Sequence, residues 1–125
     1  MLLTVAYVLT GLVGAGIFVI GLNGLRTPRA AAGFGIPGTP VGDPAFRSWL
    51  RVKAVRDIAA GIFTFILMAG ATPHLLGWFM LAATGIPAGD ALIVLRSNGP
   101  KAIAYGVHAS TAAVMLVATA ILLLG

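Results

Sequence analysis

The chain has 125 residues, of which 59% are hydrophobic and only 9% are charged, and its formal net charge is +5. Soluble domains carry about 25% charged residues, so this composition excludes a soluble globular domain, a disordered chain and a collagen-like chain. It indicates an integral membrane protein. The lack of cysteine excludes disulfides, thiol redox chemistry and iron–sulfur clusters. The basic residues lack the aromatic interleaving and zinc-ligand spacing of nucleic-acid-binding proteins, so no nucleic-acid partner is expected.

Four apolar segments predict four membrane-spanning helices, since about 20 apolar residues cross a bilayer as a helix. The predicted spans are residues 2–25, 50–71, 75–95 and 102–124. The second span has a charge-free part that is too short to cross alone, so the helix must extend back over Asp57, Arg56 and Lys53. The predicted fold is one all-α domain over residues 1–125, a bundle of four transmembrane helices.

The segments between the predicted helices differ in length. The turns at residues 71–74 and 96–101 are short and contain proline, which places the second helix beside the third and the third beside the fourth. The connection over residues 26–48 is rich in glycine and proline, which fits either a flexible loop or a lid over the mouth of the bundle. The first helix is glycine-rich, so we expect it to pack closely on the other helices or on a second protomer of a homo-oligomer.

The basic residues predict how the bundle lies in the membrane. Every lysine and arginine lies on or near the first and third connections, whereas both termini and the turn at residues 71–74 carry none. The positive-inside rule then predicts cytoplasmic basic loops and outward-facing termini, in a plasma or inner membrane. Because this split requires an even number of crossings, it supports four spans rather than three.

Three predicted helices carry ionisable residues at one depth, which we call the polar layer. Arg56 and Asp57 lie there on the second helix. Asp90 on the third helix and His108 on the fourth reach the same level, about 10 Å inside the cytoplasmic boundary at 1.5 Å per residue. Charged residues inside a membrane are costly and mark functional sites by default. The polar layer is therefore the candidate site.

The spacing of these residues predicts specific contacts. Lys53 lies one helical turn before Asp57, which predicts an ion pair. Two contacts are open to Asp90, an ion pair with Arg56 or a hydrogen bond from the His108 imidazole. Asp90 and His108 are the candidate proton-transfer pair, and Asp57 is the candidate carboxylate that tunes the neighbouring cations. Arg56 and Lys53 are the candidate groups for holding an anionic or carbonyl oxygen.

Two aromatic residues at the membrane boundary, Tyr105 and Trp49, complete the candidate ligand-binding set, although both types are also typical interfacial anchors. The purely structural interpretation of the polar layer is an ion-pair network that holds the helices together, with His108 as a hydrogen-bonded core residue. No metal is expected, because the two cations of the layer would repel a metal ion. No cofactor is predicted.

Several short motifs of the chain resemble those of a known family. They are Lys53-x-x-Arg56-Asp57, Gly89-Asp90, Gly106-Val107-His108 and the glycine-rich stretch at residues 33–38. In these motifs, and over most of its length, the chain resembles the small four-helix membrane proteins of the DUF4267 family, which are distantly similar to DoxX-type membrane proteins. The resemblance implies the four-helix fold and the polar layer, but no activity. The similarity of its members to small membrane proteins found beside biosynthetic genes implies a lipophilic substrate.

The sequence favours a membrane protein that binds a lipophilic small molecule, with enzymatic transformation left open. Isomerisation, cyclisation or epoxide opening would suit an acid–base pair in a water-poor site. Two alternatives stay open: a small dimeric proton-coupled transporter in which Asp90 or His108 carries the proton, and a structural membrane subunit. The site hypothesis predicts that Asp57, Asp90 and His108 converge in one cavity on the cytoplasmic side.

Overall fold

The computed structural model describes residues 1–125, and the chain is entirely helical. Four long helices make up the fold. They are α1 (Leu2–Arg26), α2 (Pro44–Gly70), α3 (Pro73–Arg96) and α4 (Lys101–Leu124). A 3₁₀ helix at Pro28–Phe34 occupies the first connection, and α4 is π-helical over Ala104–Ala109. The α2 helix thus begins earlier than the span predicted from residue 50.

Side-chain caps set where α2 and α3 begin. The carboxylate of Asp43 accepts the N–H of Phe46 at 2.8 Å, and Pro44 occupies the first helical position, where no backbone donor is needed. Thr72 caps α3 in the same way, by accepting the N–H of Leu75 at 3.1 Å. The short α2–α3 turn therefore lies where the sequence predicts it.

Three helices, α1, α3 and α4, are long and apolar enough to cross a membrane by length and composition. The α2 helix has 27 residues but carries charged residues in its first half, and it is not one of the three. Large apolar side chains lie exposed on all four helices, as a lipid-facing surface requires. Examples are Leu12, Ile66, Ile86 and Val117. The chain is an all-helical protein with three apolar spans, which is the make-up of a membrane protein.

The helices pack in the order α2, α1, α4, α3. The α1 helix lies between α2 and α4, and α4 packs along α3, which confirms the predicted contact between the third and fourth helices. The predicted neighbour relation of the second and third helices is wrong. They are consecutive in the chain, yet they touch at only a few points. A gap therefore separates α2 from α3.

Glycines explain why α2 packs on α1 rather than on α3. A Cβ atom at Gly21 would lie 2.7 Å from Cγ1 of Ile58 and 2.8 Å from the carbonyl oxygen of Ala54. A Cβ atom at Gly61 of α2 would lie 2.8 Å from the carbonyl oxygen of Gly14. Backbones approach this closely only where side chains are missing. The glycine-rich face of α1 therefore serves a helix of the same chain.

The apolar core lies toward the end of the bundle that holds the chain termini. Its buried residues come from the start of α1, the start of α3 and the length of α4: Ala6, Leu76, Met80, Met115 and Leu122. Since these ends hold the packed core, the opposite end is left for the polar residues and the long connection. We call this opposite end the loop end.

The first connection folds back over the loop end of the bundle. Gly35 is buried and has a φ of +108°, a left-handed conformation that favours glycine, and a Cβ there would meet Ile103 and Val94 at 3.0 and 3.1 Å. Gly99 in the α3–α4 turn lies against the carbonyl oxygen of Gly35, with no room for a side chain. The 3₁₀ helix Pro28–Phe34 is thus held against the loop end of the bundle.

Candidate functional site

His108 lies in the π-helical part of α4 and is only 8% exposed. A π turn accommodates an extra residue in one helical turn, and such turns occur often at functional sites. The Nε2 atom of His108 lies 2.8 Å from the carbonyl oxygen of Phe34. Since a carbonyl only accepts, Nε2 is the N–H donor, and the neutral ring carries its lone pair on Nδ1. His108 is therefore a fixed imidazole with one nitrogen left unpaired by the protein.

Phe34 lies between His108 and an ion pair on α2. The ring centroids of Phe34 and His108 are 4.4 Å apart, and Nζ of Lys53 lies 5.6 Å from the Phe34 centroid, as in a cation–π contact. Lys53 donates to Oδ2 of Asp57 at 2.6 Å, which confirms the predicted ion pair. The Lys53 side chain is 47% exposed and that of Asp57 only 16%. The carboxylate is therefore the more enclosed partner.

Asp90 is half-buried on α3 and lies within electrostatic range of the other groups. The charges of His108, Lys53 and Asp57 all act on its carboxylate. Four ionisable groups from three helices therefore lie near one another at the loop end of the bundle. No three His, Asp or Glu side chains come together as metal ligands.

The two contacts open to Asp90 are not formed. His108 cannot donate from Nε2 to Asp90, because that nitrogen already bonds the carbonyl oxygen of Phe34. Arg56 donates from Nη1 to the carbonyl oxygen of Val52 at 3.2 Å and forms no ion pair. Both expected contacts join two side chains of the polar layer. In the structure, His108 and Arg56 bond backbone carbonyl oxygens instead.

A cavity of about 290 Å³ lies beneath the 3₁₀ helix, and we call it the polar chamber. Asn23 of α1, Lys53 and Asp57 of α2, and His108 of α4 supply its polar lining, and Phe34 lines it from the side of the first connection. The chamber joins side chains from three long helices under one loop segment.

A second cavity, of about 380 Å³, lies in the gap between α2 and α3, and we call it the lateral cleft. Its walls are mostly apolar and come from all four helices, including Val13, Phe63, Phe79, Ile86, Pro87 and Met115. Arg56 and Asp57 are its charged lining residues, both on the same helix. The cleft exists because the glycines of α1 hold α2 away from α3.

Asp57 lines both cavities, whereas Asp90 lines neither. The structure thus brings Asp57 and His108 into one cavity, together with Lys53, and leaves Asp90 outside both cavities. Trp49 and Tyr105 lie outside this group: they are 73% and 59% exposed, and neither side chain makes a hydrogen bond.

Two residues of the site were not predicted from the sequence. Asn23 lines the polar chamber. It is the only side-chain amide in the apolar helix α1, and that isolation could have marked it as a site residue. Phe34 bonds His108 through its backbone carbonyl, which every residue type possesses. Its identity therefore gave no sign of the contact, and only the fold reveals it.

Comparison with known proteins agrees with the motifs in the polar layer. Residues 14–123 match the family described as Domain of unknown function (DUF4267). No curated protein and no solved structure matches the chain. The distant likeness to DoxX-type proteins stays a prediction. Since the match spans most of the chain, the protein belongs to the DUF4267 family.

Proposed function

We propose that this protein crosses the membrane four times and binds a lipophilic small molecule in the lateral cleft, with an oxygen of the ligand on Arg56. The observation that carries the proposal is the cleft itself, an apolar cavity with its cationic group at one end. Lipophilic ligands are usually held by such concave apolar sites with a few oriented polar groups. The apolar walls would contact the hydrophobic body of the ligand. The polar head of the ligand would lie beside Arg56, at the loop end of the cleft.

The packing of α2 supports a fourth crossing. This helix is as long as α1 and packs against it along the glycines described above, which supports a crossing of the same thickness. Its basic residues lie in the first half, at the loop end, where long side chains reach the membrane surface. In this proposal both termini and the α2–α3 turn face outward, and the basic connections face the cytoplasm of a plasma or inner membrane.

Arg56 is the group best suited to hold the ligand. Lys53 is already paired with Asp57, whereas the guanidinium of Arg56 meets only the carbonyl oxygen of Val52. A guanidinium in the membrane requires oxygen partners and binds carboxylate or phosphate through two parallel hydrogen bonds. The ligand class is therefore an elongated lipophile that ends in a carboxylate, phosphate or carbonyl oxygen.

Acid–base transformation of the ligand is the second part of the proposal. Asp57 is the carboxylate that lines the cleft, and His108 lies in the adjoining chamber, so these two are closer to a bound ligand than Asp90. Isomerisation, cyclisation or epoxide opening needs such proton transfer in a site shielded from water. We assign Asp90 an electrostatic role on both groups. A purely structural role is the alternative that the experiment below separates from ligand binding. Proton-coupled transport is the second alternative, and a measurement of transport in vesicles distinguishes it.

The test is mass spectrometry of lipophilic compounds that co-purify with the protein. Ala83 lines the cleft, so Ala83→Phe should fill it, whereas Ala113 is exposed on α4 outside the cleft and Ala113→Phe is the matched control. A discrete compound should accompany the wild type and Ala113→Phe, and should be lost in Ala83→Phe. Arg56→Gln should retain about a tenth or less of it. The same bulk lipid in all four proteins, at equal thermal stability, would contradict the proposal.

A further inference from the structure

The polar chamber and the lateral cleft follow one another along the inner face of the bundle. On α1, Val13 and Ile17 line the cleft, and Ile20 and Gly24 line the chamber. Residues three or four positions apart lie on one helix face, so these four form a single stripe. The two cavities are therefore successive compartments on one side of α1.

The lining of α2 and α4 has the same arrangement. On α2, Lys53 lines the chamber, Ala60 lines the cleft, and Asp57 between them lines both. On α4, His108 lines the chamber and Met115, two helical turns further, lines the cleft. Asp57 thus lies at the junction of a compartment with several polar groups and one with apolar walls.

The polar groups of the chamber are incompletely paired within the protein. His108 is more than nine-tenths buried, yet only its Nε2 has a partner, whereas Asn23 is exposed and its side-chain amide forms no hydrogen bond within the protein. Buried polar groups are almost always paired, and water commonly supplies what the protein does not. Asn23 and Lys53 line the chamber at the loop end and are exposed, so water can reach it beside the 3₁₀ helix.

We propose that the polar chamber is a hydrated vestibule that leads from the loop end to Asp57, and that His108 exchanges protons with Asp57 through it. The proposal rests on the proposed function, in which Asp57 meets the ligand in the cleft. It gives that site a proton supply from the loop side, separate from the lipid-facing opening.

In this exchange a proton moves from the His108 ring to the Asp57 carboxylate. The Nδ1–H bond of the His108 imidazolium breaks, and an O–H bond forms on the Asp57 carboxylate, directly or through one water. A hydronium ion from the loop side then gives its proton to Nδ1 and becomes water, which restores the imidazolium. The Nε2–H group donates its hydrogen bond to the carbonyl oxygen of Phe34 throughout, so the ring keeps its orientation.

Charged groups from each neighbouring element face His108. Lys53 and Asp57 come from α2 and Asp90 from α3, while the 3₁₀ helix offers the Phe34 carbonyl and α1 the uncharged Asn23. Protonation of Asp57 would weaken its ion pair with Lys53.

The first test uses the absence of native cysteine, which lets a single introduced thiol report access of water. Asn23→Cys and Ile20→Cys probe the chamber with His108 in place, Ala83→Cys probes the cleft, and exposed Ser48→Cys at the loop end is the reactive reference. The probe is a charged, membrane-impermeant methanethiosulfonate, applied to the loop side of reconstituted vesicles. It reacts with thiolates, which form in water and not in apolar surroundings.

Both chamber cysteines should react, and Ala83→Cys should react at least about tenfold more slowly. An Ile20→Cys thiol that is as unreactive as Ala83→Cys, while Ser48→Cys reacts, would overturn the vestibule. Both outcomes are independent of whether any ligand co-purifies, so failure of the vestibule and failure of the ligand site are distinguishable.

The second test keeps His108 in place. The chain has two histidines, so ¹⁵N-histidine spectra resolve His108 from His74 at the other end of the bundle. The neutral His108 ring should be the Nε2–H tautomer, and its Nδ1 signal should change in Asp57→Asn, because Nδ1 then loses its proton-exchange partner. A ring protonated on Nδ1 alone, or an Nδ1 signal that Asp57→Asn leaves unchanged, would contradict the proton exchange.

Discussion

The imidazole of His108 and the backbone carbonyl of Phe34 are joined by a 2.8 Å hydrogen bond across 74 positions of the chain. The bond ties the first connection to the last helix and holds Phe34 against the polar chamber. Because the acceptor is a backbone atom, no side-chain substitution at Phe34 removes it. A substitution at position 108 therefore tests whether this bond holds the 3₁₀ helix against α4.

His108→Ala should release the 3₁₀ helix from the bundle. We expect a loss of about 1–3 kcal/mol in stability, because a buried acceptor is left without its donor. Hydrogen exchange should quicken at Pro28–Phe34 before it does so in α3. His74→Ala is the control, since it removes an exposed hydrogen bond to Trp78 at the opposite end and should change stability by less than about 0.5 kcal/mol. Equal effects of the two variants would argue against an anchoring role of His108.

Gly21→Ala should weaken the α1–α2 interface. Its methyl group would lie within 2.8 Å of Ile58 and of the Ala54 backbone, so the helices must move apart, at a cost of about 1–3 kcal/mol. At Gly16, also on α1, nothing lies within 4 Å of a new Cβ. Gly16→Ala should therefore be neutral or slightly stabilising, because alanine is the better helix former. Thermal unfolding in one detergent compares the two, and a destabilised Gly16→Ala would contradict this packing.

Gly99→Ala should loosen the first connection without unfolding the bundle. Its methyl group would collide with the carbonyl oxygen of Gly35 and approach Val94 to 2.7 Å, which separates the connection from the α3–α4 turn. Exchange at Pro28–Phe34 should quicken several-fold while the core helices stay protected. Gly42→Ala changes a glycine of the same connection that has open space around it, and it should leave exchange unaltered.

The sequence predicted the helices well because the signals for them are local. Apolar runs located α1, α3 and α4, and helical spacing alone predicted the ion pair of Lys53 with Asp57, which the structure contains. The rise per residue also predicts that Asp90 and His108 share one depth in the membrane, and this stays a prediction.

The packing order could not be read from loop lengths. A short turn keeps the ends of α2 and α3 close, but the pairing is decided by which backbones approach most closely, and Gly14 and Gly21 give that advantage to α1. The partner of His108 was missed for a related reason. The acceptor is a main-chain oxygen in an irregular segment, and its position depends on the Gly35–Gly99 contact rather than on residue type.

The Lys53–Asp57 pair predicts unequal effects of removing its two members. Lys53→Met leaves the enclosed carboxylate without a partner and close to the charge of Asp90, so we expect a loss of about 1–3 kcal/mol. Asp57→Asn leaves a half-exposed ammonium that can reach water, and the loss should stay below about 1 kcal/mol. The double variant should resemble Asp57→Asn. Lys101→Met, which removes an exposed lysine without an ion pair, controls for the change in net charge.

The position of α2 in the membrane gives the last prediction. If α2 crosses beside α1, its two ends lie on opposite sides, although only its second half is free of charge. Single cysteines at Ser48→Cys and Ala71→Cys mark those ends, in a chain that has no other thiol. In sealed vesicles an impermeant thiol reagent added outside should label one variant and spare the other until the membrane is opened.

The sidedness of that labelling also tests the charge rule. In inside-out vesicles Ser48→Cys should be the labelled variant, because the basic connections are predicted to face the cytoplasm. Labelling of both variants from one side would mean that α2 lies along the membrane surface. The lateral cleft would then have no α2 wall within the bilayer, and Arg56 would meet water rather than the end of a lipophilic ligand.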